Sequence, residues 1–142
     1  MTTASTLTHL DPATNSRGPV RVALGVAQLL LAVQFAAGGL MKLTGQPSML
    51  QMFEAIGGGD ELRILVGCLE VAGAVGLLVP RLAGLAAFGI VALLVGASIT
   101  NITVLHTSPA LPAALLIVAA LVAYGRRAST LNLINHVVQL HR

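Results

Sequence analysis

Residues 62–80 read LRILVGCLEVAGAVGLLVP, an apolar stretch with one acidic residue, Glu70, near its middle. As a helix at 1.5 Å per residue, about 19 residues cover nearly the 30 Å of a bilayer's hydrocarbon core. A carboxylate at that depth costs several kcal/mol, roughly 3 on insertion scales, unless it is protonated, paired or lining a polar cavity. The stretch therefore predicts a helix packed in a bundle, with Glu70 turned inward. Gly67, Gly73 and Ala74 share its face, and small residues there let a neighbouring helix approach closely.

The rest of the chain has the same character. It is 56% hydrophobic and 9% charged, with a mean hydropathy of +0.88. A soluble domain carries about 25% charged residues, so the composition indicates an all-α integral membrane protein. Three further apolar runs are legible: about Val20 to Met41, Leu82 to Leu105, and a shorter one from Pro109 to Tyr124. The expected organisation is a disordered polar tail (1–18), a four-span membrane domain (19–127) and a cytoplasmic or interfacial tail (128–142). In the last of these, Leu131, Ile134, Val137 and Val138 recur at helical spacing. Basic residues ahead of the first run also fit a signal peptide, but its length favours a retained span. Between the first two runs, Pro47 suits a helix start. Met49, Met52, Phe53 and Ile56 then form an apolar stripe opposite Gln51 and Glu54, as in a short interfacial helix. The Gly57–Gly59 run ends it.

Orientation follows from the cations. With four spans, Arg17, Arg21, Arg81, Arg126, Arg127 and Arg142 fall on one side. Lys42 and Arg63 fall on the other, offset by Glu54, Asp60 and Glu61. The positive-inside rule then places both termini in the cytoplasm. The net charge of +3 comes without a basic patch interleaved with aromatics, so nucleic acid is not an expected partner. Cys68 is the only cysteine, which excludes an intramolecular disulfide and a CxxC relay. The four histidines are dispersed, and no nucleotide or nucleophile motif occurs. Asn101-Ile102-Thr103 matches a glycosylation sequon, but it lies near a span end and is discounted.

Polar residues inside the spans are the candidates for function. Gln34, Gly38 and Lys42 share one face of the first span. Counted from the outer boundary, Gln34 and Glu70 lie at similar depth, about 12 Å in. Asn101 enters the outer half of the third span, with His106 at its mouth. Gln34, Lys42, Glu70 and Asn101 are therefore expected to converge as a ligand- or partner-binding cluster. For Lys42, pairing with Glu70 and snorkelling to the headgroups both remain open. Asn101 could equally be an interhelical hydrogen bonder, and so could Gln28. Glu70 itself could be purely structural.

Three segments carry a resemblance: FAAGGLMKLTG (35–45), MLQMFEAIG (49–57) and VGCLEVAGAVGLLVP (66–80). Within them Gly39, Lys42, Met52, Phe53, Gly67, Glu70, Gly73, Leu77 and Pro80 match the pattern of the DoxX-like family of small four-span bacterial membrane proteins. The chain resembles that family from about Arg21 to Gly125, its last two spans mainly by hydropathy. The family takes its name from a subunit of a thiosulfate:quinone oxidoreductase. The resemblance implies a four-helix bundle and quinone-linked work with a partner, but supplies no catalytic residue. The missing cysteine pair separates the chain from four-helix thiol oxidoreductases of the vitamin K epoxide reductase type.

Three functional readings follow. In the first, the protein is an accessory or anchoring component of a membrane redox or stress-response assembly. It is not an enzyme on its own, it has no covalent cofactor, and its polar cluster receives a quinone, another small amphipathic ligand or a membrane oxidoreductase subunit. In the second it is a small proton-coupled transporter using Glu70, although aromatics make up only 3% of the chain and cannot build a cage for cationic drugs. The third is a structural bundle without a ligand. Oligomeric state is not readable from the sequence.

Overall fold

In a computed structural model describing residues 17–127, the apolar runs become long helices. The element order is α1 (Arg17–Leu43), α2 (Pro47–Ala55), α3 (Gly59–Leu78), α4 (Ala83–Thr103) and α5 (Ala110–Gly125). The expected tails, with His9, His136, His141 and Arg142, lie outside the described residues, except that α1 already starts at Arg17. The architecture is the expected all-α bundle. Of its helices, α1 and α4 are long and apolar enough to cross a membrane by length and composition alone. α5 is apolar but only 16 residues long, and α3 carries Asp60, Glu61, Arg63 and Glu70.

Helices α1, α3, α4 and α5 form the bundle, in which α1 and α4 each pack against both α3 and α5, while α2 lies on α3 near the end of α1. The core holds Leu31, Phe35, Leu77, Ile90 and Val122. Much of the outer surface is apolar, as at Leu30, Leu65, Phe88, Ile99, Ile117 and Leu121. An apolar exterior this extensive suits a lipid environment.

Glycine decides two features. α1 and α2 both end in Schellman motifs. The Gly45 and Gly57 amides bond back to Lys42 O and Glu54 O, and the following amides bond to Met41 O and Phe53 O. Both glycines take left-handed φ, +67° and +74°. Elsewhere glycine sets interhelical distance. A Cβ placed on Gly39 would lie 2.8 Å from Gly67 O, so the α1 and α3 backbones touch there. The α4 helix stops at Thr103, short of the expected Leu105. The Val104 and Leu105 amides both fold back onto Thr100 O, and His106 turns to φ 48°. Pro109 is the N-cap residue of α5, and just before it Ser108 Oγ accepts the Ala110 amide at 3.3 Å.

The α2 stripe behaves as its periodicity predicts. Phe53 is buried, Met49, Met52 and Ile56 are half-buried, and Gln51 and Glu54 are exposed.

Candidate functional site

Glu70 reaches the face of α1 because Gly38 and Gly39 leave room for it. Gly38 lies directly under the carboxylate: a Cβ there would stand 3.4 Å from Glu70 Oε2. One turn further on, Lys42 Nζ donates to both Glu70 oxygens, at 3.0 and 2.8 Å, and approaches Gly38 O at 3.5 Å. Both side chains are 13% exposed. Lys42 therefore turns inward to pair rather than snorkelling out. The pair is shielded enough that losing either member would strand a charge.

The other two expected members border this pair without bonding to it. Asn101 on α4 donates from Nδ2 to Ser108 O at 3.4 Å. Gln34 is exposed on α1. Among the described residues, side-chain hydrogen bonds between helices involve Gln28, Lys42, Arg63 and Arg126, and none involves Gln34. The four residues thus share a neighbourhood but not a single hydrogen-bonded network. His106 is exposed in the α4–α5 connection.

Two cavities meet at the pair. The larger, about 980 Å³, is an open groove along the α3–α4 seam, overhung by Met52, Phe53 and Ile56 of α2. Its lining is apolar apart from Lys42, Glu70, Thr100 and Asn101, which gather at the α2 end. From Leu85 to Asn101 it follows α4 for roughly 24 Å at 1.5 Å per residue. Gly89 and Gly96 line it, and a Cβ on either would meet nothing within 4 Å. The smaller cavity, about 220 Å³, is a crevice among α1, α4 and α5, bounded by Gln34, Gly38, Asn101, Leu111, Pro112 and Leu115 as well as the pair.

Two polar clusters were not anticipated in full. Arg63, counted until now only among the outer-side charges, is 6% exposed. Its Nη1 donates to Lys42 O at the end of α1, while Nε and Nη2 hold Asp60 Oδ1 at 3.0 and 2.8 Å. It thereby fixes the backbone of the residue whose side chain reaches Glu70. A cation at a helix C-terminus is favourable, but the partner lies 21 residues away, beyond any local pattern. Replacing Arg63 with Met should therefore lower stability by about 1–2 kcal/mol, since Lys42 O keeps only the Gly45 amide and loses its charged donor, and Asp60 loses its partner. Thermal unfolding in detergent reads this, and an unchanged midpoint would remove Arg63 from the support of Lys42. At the opposite end, Gln28 bridges helices as its position suggested. It donates to Leu77 O and accepts from Arg126 Nε at 3.0 Å. Arg127 stacks on Tyr124, 4.0 Å from the ring centroid.

No group of three or more His, Cys, Asp or Glu side chains that could hold a metal occurs among the described residues. A family model described as the DoxX-like family matches residues 26–124. No curated protein and no solved structure matched the chain.

Proposed function

The chain belongs to the DoxX-like family of membrane proteins, and from that premise we propose that it is a non-catalytic, ligand-holding component of a membrane redox assembly. It crosses a bacterial inner membrane four times, with the Arg21, Arg81, Arg126 and Arg127 end of the bundle in the cytoplasm. The observation that carries the reading is the placement of the Lys42–Glu70 pair in the wall of a long groove that is otherwise almost wholly apolar. A groove roughly 24 Å long suits an extended isoprenoid or acyl chain. The polar end offers both donor and acceptor. Lys42 and Asn101 can donate to a carbonyl, and Glu70 can accept from a hydroxyl.

These residues fit a quinone. When bound, it would supply two-electron redox chemistry to an oxidoreductase subunit outside this chain. The chain's own part is to seat the head group, exclude water from the tail and hold a proton acceptor beside the head. The transporter reading is less well supported, because it leaves the long apolar groove beside Glu70 without a part to play.

The test is lipid extraction and mass spectrometry on protein purified in mild detergent. A long-chain carbonyl lipid should co-purify in roughly stoichiometric amount. Gly89→Leu should displace it by filling the groove, while Glu70→Gln should weaken it by about tenfold, the worth of one charge-assisted hydrogen bond. Recovery of only bulk phospholipid, unchanged in both variants, would defeat the proposal. Robust proton-coupled uptake in liposomes, abolished by Glu70→Gln, would establish the transporter instead.

A further inference from the structure

The groove and the crevice are described above as separate spaces, yet Lys42, Glu70 and Asn101 line both. Phe35, Leu94 and Ala97 do the same. These six side chains form a partition one residue thick. On one side is the lipid-facing groove. On the other is a crevice whose walls are mainly apolar but which carries polar side chains from three helices, Gln34 and Lys42 on α1, Glu70 on α3 and Asn101 on α4.

Gln34 indicates what fills the crevice. It lies eight residues before Lys42 on the same helix face, about 12 Å deeper along the axis. At that depth an amide facing hydrocarbon would be costly, and within the described residues it has no hydrogen-bond partner across helices. A water occupies roughly 30 Å³ of liquid and needs two to four polar partners. The crevice, at about 220 Å³, holds several, and Gln34, Asn101, Lys42 and Glu70 supply the partners. Its lining residues on α5, Leu111, Pro112 and Leu115, start at the first turn after the α4–α5 connection, the end of the bundle where α2 lies.

The geometry points to a water-filled vestibule that opens on the α2 side of the membrane and ends at the Lys42–Glu70 pair, making the pair the proton-exchange partition between that aqueous phase and whatever head group lies in the groove. The identity of that head group rests on the reading given under Proposed function. The vestibule does not. A protic ligand held in the groove would thus exchange protons with the α2 side and not with the arginine-rich side.

Cysteine accessibility tests this in a Cys68→Ser background, in oriented membrane vesicles, with a charged, membrane-impermeant thiosulfonate. Glu61→Cys, exposed at the start of α3, reports the α2 side. Gln34→Cys should react from that same side within about tenfold of the Glu61→Cys rate. Gly89→Cys, in the groove, should react about 100-fold more slowly with the charged reagent, since thiol reactivity requires a hydrated thiolate, and should label fully once the protein is denatured. Leu115→Cys, on the opposite wall of the crevice, should match Gln34→Cys and serves if the latter fails to accumulate. Gln34→Cys and Leu115→Cys as slow as Gly89→Cys, or reactive only from the arginine-rich side, would overturn the vestibule. Fast labelling from the α2 side in protein that yields no long-chain carbonyl lipid would uphold the vestibule and reject the proposed ligand.

Discussion

Gly39→Leu is expected to prevent assembly of the bundle. A Cβ at residue 39 would stand 2.8 Å from Gly67 O and 2.8 Å from Val71 Cγ2, with Glu70 Cβ at 3.1 Å. The carbonyl is helix backbone and cannot rotate away, so α1 and α3 must separate. Separation also pulls Lys42 from Glu70 and Arg63 from the end of α1. Overpacking of a fixed site costs about 1–3 kcal/mol, occasionally more, and here the Lys42–Glu70 ion pair and the Arg63 bond to Lys42 O go with it. Gly89→Leu is the control. It is the same change in another bundle helix, but open space lies beside the residue. The better helix propensity of leucine makes it neutral or stabilising by up to about 1 kcal/mol. Melting of both variants in the same detergent checks the contrast. Equal midpoints would show that the α1–α3 approach does not hold the bundle together.

That contrast also marks the limit of what the sequence conveys. Small residues recur at helical spacing in α1, α3 and α4, and the pattern alone reads as tight packing throughout. It is tight packing at Gly39, Gly67, Gly73 and Gly76. At Gly89 and Gly96 the same residue type borders a groove. Nothing local separates the two outcomes. They depend on which helix, if any, lies opposite, and that is set by the whole bundle. The helices themselves were legible because hydropathy and turn residues act locally. Pro47 starts α2 and Gly57 ends it, both through one residue's backbone preference.

The site divides along the same line. The pairing of Lys42 with Glu70 was accessible as one of two readings, because antiparallel helices let depths be counted from a shared boundary. Gln34 and Asn101 were assigned to one cluster with the pair, whereas they border it from the crevice and the α4 side. Arg63 was legible only as a charge on the side of the bundle opposite the arginines. Its spacing from Asp60 fits an ordinary i, i+3 pair, which indeed forms. Its other bond, to Lys42 O, depends on where α1 ends in space.

The Lys42–Glu70 pair should prove expendable for stability and indispensable for binding. With each side chain only 13% exposed, breaking the pair from one side leaves a poorly solvated charge. Lys42→Met alone and Glu70→Leu alone should therefore each destabilise by about 3 kcal/mol. Lys42 sits in the last turn of α1, close enough to the boundary to find headgroups, so Glu70→Leu should be the milder of the two. The double variant Lys42→Met/Glu70→Leu removes both charges and keeps similar volume. It should return to within about 1 kcal/mol of the parent, because a buried ion pair rarely outperforms an apolar pair of the same shape. The double-mutant cycle would then report a coupling of several kcal/mol. The same stable double variant should retain no long-chain carbonyl lipid, having neither donor nor acceptor at the head of the groove. Stability and binding would thereby separate in one protein. A double variant as unstable as the two single changes combined would instead make the pair a structural element of the α1–α3 contact. The groove would then have no polar end dedicated to a ligand.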